Sequence, residues 1–166
     1  MPSSREKTIG ETFQAQTKYR RGALPPKTGK VVSPFKVYAM HTWTPITRTG
    51  AIRQQRLLAD AARHAAKETL PLVWVGDLNT TTWSRNLALV AETGGLRNAR
   101  QGFGLGPSWM YPLPLWPLAL PIDHVLIKND VGVRAFRLGG YTGSDHLPVV
   151  ADLRVGESSE LASLVP

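Results

Sequence analysis

The sequence has no cysteine, which excludes a disulfide framework and any thiolate metal site. No apolar run approaches the roughly 20 residues a helix needs to cross a membrane. The opening residues, Met1 to Lys7, lack the apolar core of a secretory signal; the compartment stays open, with a cytoplasmic one slightly favoured for the chain as written. No segment repeats. The glycine-rich stretch from Gly102 to Pro107 lacks the lysine and spacing of a phosphate-cradling loop, so it is not read as a nucleotide site. Acidic residues are scarce, twelve against twenty Lys and Arg, for a formal charge of +8. Residues 1–36 hold eight basic and two acidic side chains, and so +6 of that total. Such an arm can attract nucleic acid or an anionic membrane surface. It can equally be a solvated segment with no partner.

What is present suffices for one domain with its own core: 166 residues, 42% of them hydrophobic. Residues 1–34 are polar and basic, with Pro25, Pro26, Gly29 and Pro34, and are expected to be mostly irregular. The domain is expected over residues 35–155, with a tail at 156–166. Lys36 to His41 reads as a strand with Val37, Ala39 and His41 on one face. A helix is predicted from about Ala51 to Lys67, capped by Thr47 or Thr49, with Leu58, Ala61, Ala62, Ala65 and Ala66 as its apolar stripe. Leu72 to Val75 is a short buried strand, after which Gly76 is expected to turn the chain. Ser84 and the threonines before it can cap a second helix over Arg85–Glu92, stopped by Gly94 and Gly95. Trp109 to Pro121 mixes Trp109, Tyr111 and Trp116 with four prolines, which bars a helix or a central strand. That stretch is read as a packed loop or, alternatively, as an aromatic rim or apolar contact surface. Ile122 to Lys128 and Val131 to Leu138 read as one hairpin, and Val149 to Val155 as a closing strand. The strand–helix–strand order points to an α/β layer fold.

Polar groups able to do chemistry gather at strand ends: His41, the Asp77/Asn79 pair, Asp123, and Asp145 with His146. If strand geometry continues past Gly76, the period of two puts Asp77 and Asn79 on one face. A carboxylate beside a carboxamide suits a phosphate and its cation, although Gly-Asp is also an ordinary turn. Hydrolysing a phosphate ester needs a nucleophilic water, neutralised phosphoryl charge and help for the leaving oxygen. A hard cation takes oxygen ligands from Asp. A histidine whose tautomer a carboxylate fixes is the usual general base, and Asp123 with His146 is the candidate dyad. His124 follows Asp123 on a strand, faces the opposite way and is expected to be packed. His64 is expected to be solvated, and Asp60, Asp130 and Asp152 to be surface or turn acids. Trp83 is expected in the core rather than along a substrate cleft.

Three segments, Trp-Val-Gly-Asp77-Leu-Asn79, Pro-Ile-Asp123-His-Val-Leu and Gly-Ser-Asp145-His146-Leu-Pro, occur in that order. They resemble the three C-terminal motifs of the endonuclease/exonuclease/phosphatase family, and the strand ending in His41 resembles that family's internal histidine strand. The resemblance covers roughly Phe35 to Val155. It implies an α/β fold, the DNase I-like four-layer α/β sandwich. It also implies a divalent-metal-dependent phosphoester hydrolase (phosphodiesterase, nuclease or phosphatase) using Mg²⁺ or Mn²⁺. By motif, Asp77 and Asn79 would contact the phosphate and the attacking water. Asp123 would orient His146, which would contact the phosphate or act as base. Asp145, with Asp77, would help hold the metal, and His41 would stand near the leaving group.

Full members of that family open with a strand carrying an Asn and a later strand ending in a Glu, the principal metal ligand. Here 35 residues precede Lys36, and Glu6 and Glu11 lie in polar, aperiodic sequence, so neither is assigned that role. The N-terminal half of the sandwich is therefore expected to be missing. Apolar faces and strand edges left open invite self-association, or the missing half, as a partner. The substrate, a phosphoester in a nucleic acid, a lipid-linked phosphate or a small molecule, is not readable. The alternative to an enzyme is a catalytically inactive fragment, or a binding module for nucleic acid or an anionic membrane.

Overall fold

A computed structural model of the chain describes residues 35–109 and 119–156. The readings of residues 1–34, of the tail after Gly156 and of most of the proline-rich loop lie outside those residues. Eight elements follow in order: β1 (Lys36–Ala39), α1 (Arg48–Ala66), β2 (Leu72–Asp77), α2 (Arg85–Gly94), β3 (Arg97–Asn98), β4 (Asp123–Lys128), β5 (Val131–Leu138) and β6 (Val149–Val155). Strands β1, β2, β4 and β3 form one sheet in that spatial order, and β5 and β6 form a second. Strand β1 runs parallel to β2, whereas β4 is antiparallel to both β2 and β3.

Alternation along β2 and β4 builds two cores from one sheet. Leu72, Trp74 and Leu126 face Leu58, Ala61, Ala62 and Ala65 of α1 and Leu87 and Val90 of α2. Val73, Val125 and Ile127 face the other way, onto Val131 and Phe136 of β5 and Val149, Ala151 and Leu153 of β6. Full burial of one such side chain is worth roughly 1.5–3 kcal/mol, so the central sheet is held from both sides. The result is helices, a four-stranded sheet and a two-stranded sheet in successive layers.

Both helices form where their caps permit. Thr47 accepts from the Gly50 N–H at 3.0 Å, and Ser84 accepts from the Asn86 N–H at 3.1 Å. Gly95 ends α2 in the left-handed region, at φ 62°. Helix α1 begins a turn earlier than its apolar stripe suggests, and Ala66 is exposed, while Gln54 is buried.

Two local expectations are corrected. Gly76 does not turn the chain: β2 runs on through it to Asp77. Its φ of 145° and missing side chain instead let β2 approach Met40, whose carbonyl oxygen would lie 1.8 Å from a Cβ there. Strand β5 is not the hairpin partner of β4 but pairs with β6 throughout. The turn at Asn129, with φ 58°, carries the chain from the first sheet to the second. Among the described residues strand β1 pairs on one side only, and Phe35 before it and Val37 on it are exposed.

Candidate active site

Register brings the first two acids together. In the antiparallel β2–β4 ladder Asp77 lies directly opposite Asp123. Both continue the alternation that puts Val73, Val75, Val125 and Ile127 on the face toward the second sheet, and both are only part-exposed.

Asp77 is held by the chain that follows it. Its Oδ1 accepts from the Asn79 N–H at 2.8 Å and its Oδ2 from the Asn79 carboxamide at 3.2 Å. Asn79 achieves this from a left-handed backbone, φ 46°, rather than by strand alternation. Its second amide hydrogen goes to the Thr42 carbonyl at 3.0 Å. Both amide hydrogens are thus engaged, and in this arrangement Asn79 holds Asp77. The loop is fixed from behind by buried Thr42 and Gln54. The Thr42 hydroxyl donates to the Leu78 carbonyl at 2.7 Å, and the Gln54 amide donates to those of Leu78 and Asn79 at 3.0 and 2.7 Å. Gln54 lies one turn before Leu58 on the buried stripe, which is the sequence signal that could have marked it. Burial pushes the Asp77 carboxyl above its ordinary value, the Asn79 N–H opposes that, and the Asp123 charge adds to it.

His146 joins the two acids. Its Nδ1 is 2.8 Å from Asp123 Oδ2, and its Nε2 is 4.0 Å from Asp77 Oδ2. A proton on Nδ1 donated to Asp123 leaves Nε2 with its lone pair toward Asp77. His41 approaches the same Asp77 oxygen from the other side, with Nε2 at 3.4 Å and a side chain 76% exposed. Asp77, Asp123 and His146 each place one ligand atom within 4.8 Å of the others. The two carboxylates supply the oxygen ligands that a hard divalent cation takes, whereas the imidazole nitrogen suits proton transfer better than such an ion. Asp145 is not in this group; its Oδ2 accepts from the Trp109 indole N–H at 3.2 Å. An open cleft of about 530 Å³ beside the site is lined by Val75, Asp123, Thr142, Ser144, His146 and Pro148 among others.

Residues that sequence reasoning passed over complete the support. Ser108, fully buried, donates to Asp123 Oδ2 at 2.6 Å. Buried Arg100 donates to the Asp123 carbonyl at 2.8 Å and to the carbonyls of Leu105 and Gly106, and stacks over Phe136 at 4.8 Å. Burial pulls its guanidinium below the ordinary value. Neither residue carries a periodic or motif signal. His124 is packed as expected, its Nε2 2.7 Å from the Thr80 carbonyl and its Nδ1 3.3 Å from the Asn98 amide. Burial lowers its pKa to about 4, so it is neutral. Trp83 does not pack in the core; it is 64% exposed on the loop after Asn79.

The chain's likenesses agree with this geometry. Residues 4–146 match the family model described as endonuclease/exonuclease/phosphatase family. No curated protein matches by sequence. An endonuclease/exonuclease/phosphatase from Beutenbergia cavernae superposes with a TM-score of 0.55 at 28% identity, covering 74% of this chain and 36% of its own. One from Bacteroides vulgatus gives 0.54 at 18% identity, covering 74% of this chain and 50% of its own. A humanized D. rerio TDP2 gives 0.56 at 16% identity, covering 73% and 55%. The last two speak for the fold alone, which is the DNase I-like α/β fold. The chain spans about half or less of the length of these solved proteins. With the family match running through the histidine strand and all three acidic motifs, this chain belongs to the endonuclease/exonuclease/phosphatase family.

Proposed function

We propose that residues 35–155 carry the histidine half of a divalent-metal-dependent phosphoester hydrolase, a phosphodiesterase, nuclease or phosphatase. The observation that carries this reading is one imidazole spanning two acids, with Nδ1 on Asp123 and Nε2 toward Asp77. Asp123 fixes the ring and favours its protonated form once Nε2 has taken a proton. Nε2 is then the group that accepts a proton from water near Asp77, or that meets a phosphoryl oxygen when protonated. Asp77, kept in place by Asn79, orients that water. His41, exposed and 3.4 Å from Asp77, would stand near the leaving oxygen. A Mg²⁺ or Mn²⁺ ion held by Asp77 and Asp123 would supply neutralisation of the phosphoryl charge; Asp145, the other residue expected to hold it, would have to leave the Trp109 indole to join them.

The test is hydrolysis of bis(p-nitrophenyl) phosphate by the purified chain with Mg²⁺ or Mn²⁺, with EDTA, and beside His146→Ala. Turnover lost in both EDTA and the variant supports the reading. A folded chain without turnover overturns it. In that case strongly salt-dependent binding of nucleic acid or anionic vesicles would favour the binding module suggested by the basic residues 1–36.

A further inference from the structure

We propose that Ser108 is a positioning residue of this site, whose hydroxyl fixes the Asp123 carboxylate and thereby the tautomer of His146. The inference rests on the hydrolase reading only for its kinetic arm.

Three observations support it. First, the Ser108 hydroxyl and the His146 Nδ1 reach the same oxygen, Asp123 Oδ2, at 2.6 and 2.8 Å. A carboxylate oxygen has two lone-pair directions, so these donors fill both and leave Oδ1 with capacity to spare. Second, the serine closes a small ring with its partner, because its Oγ also accepts from the Asp123 N–H at 3.3 Å. That return bond links the carboxylate through Ser108 to its own backbone and disfavours rotation about χ1. Third, Ser108 is itself immobilised. It is completely buried, its N–H donates to the Leu120 carbonyl at 3.1 Å, and its carbonyl accepts from the Leu147 N–H at 2.7 Å. Leu147 directly follows His146. One serine therefore grips the acid through its side chain and the histidine's own segment through its backbone, fixing both partners of the dyad in one frame.

A buried serine can also be a passive space filler. The two roles differ in what they do to the imidazole. If Ser108 positions Asp123, its loss frees the carboxylate to rotate, and His146 then distributes its proton between Nδ1 and Nε2. If it only fills space, the tautomer is untouched.

The experiment compares the metal-free chain with Ser108→Ala, Ser108→Cys and Ser108→Thr at pH 8, reading the His146 ring nitrogens by long-range ¹H–¹⁵N NMR. The wild type is expected to show the Nδ1–H tautomer alone. Ser108→Ala and Ser108→Cys are expected to show averaged nitrogen shifts from a tautomer mixture, and Ser108→Thr to restore the single tautomer. Should the alanine variant not fold, the cysteine variant keeps the volume without a strong donor and is read in its place. In the kinetic arm, kcat is expected to fall about 10-fold in the alanine variant, with KM within about twofold and recovery in the threonine variant. A folded alanine or cysteine variant with a single unchanged tautomer overturns the proposal. A wild type without turnover removes the hydrolase reading, and the tautomer then decides the role of Ser108 by itself.

Discussion

Asp77 and Asp123 are cross-strand partners, the last pair of the β2–β4 ladder, and both continue the face that looks toward the second sheet. Directly opposed like charges destabilise a sheet by up to about 1 kcal/mol, and here burial adds to the cost by resisting ionisation of Asp77. A pair retained against that cost is explained if a cation offsets it.

The first expectation is therefore thermal. Mg²⁺ or Mn²⁺ should raise the melting temperature at neutral pH, by the equivalent of about 3 kcal/mol at a hundredfold excess over Kd. Asp77→Asn should abolish that increment while the chain remains folded. Differential scanning calorimetry with and without EDTA checks this, and an unchanged increment in the variant would remove Asp77 from the ion's ligands.

Asp123→Asn tests the dyad from the acid side. The amide preserves shape but no longer favours a proton on the facing nitrogen of His146 or stabilises its charged form. Phosphodiester turnover should fall about 10²- to 10⁴-fold, the range general acid–base catalysis supplies. A loss below about threefold would mean that the ring does not depend on this carboxylate.

Acid stability follows from His124. Its folded pKa of about 4 lies below the 6.5 of a free histidine, so between those values the unfolded chain binds more protons than the folded one. Stability is fully present above pH 6.5, declines as pH falls and levels off below about pH 4. The lost amount is about 3 kcal/mol. Urea titrations at pH 7.5, 5.5 and 4.5 should show the decline, and it should be absent in a variant without this imidazole, such as His124→Asn.

Gly76→Ala should be among the most damaging single changes. The added Cβ would meet the Met40 backbone, and the residue's φ of 145° is strained for any side chain. A loss of at least about 3 kcal/mol is expected, read by chemical denaturation. A stable variant would show that β1 can move away from β2 at little cost.

Much of this arrangement was legible from periodicity. Strands with uninterrupted apolar runs, helices with a Ser or Thr cap, and the strand-end polar residues were all marked locally. Pairing was less so. Val131–Leu138 follows β4 across a two-residue turn and looks like its hairpin partner, yet apolar burial on the far face of the central sheet draws it to β6. Asn79 reached Asp77 through a left-handed turn, which spacing alone cannot distinguish from a continued strand. Ser108 and Arg100 were invisible because their roles depend on partners 15 and 23 residues away, set by tertiary packing. Trp83 is expected in the core, but it stands on the loop between Thr80 and Ser84 and is 64% exposed among the described residues.

The bond from the Leu147 N–H to the Ser108 carbonyl fastens the His146 segment to a buried residue that lies outside the strands of the central sheet. The acids belong to the central sheet, whereas His146 arrives on the segment leading into β6. Any opening that lifts the β5–β6 layer would break the dyad while the β2–β4 ladder and both helices could stay closed. Hydrogen exchange should then find slow amides in β2 and β4 beside faster ones in β6. The free energy of that partial opening, rather than of global unfolding, would set the fraction of molecules with an assembled site at any instant.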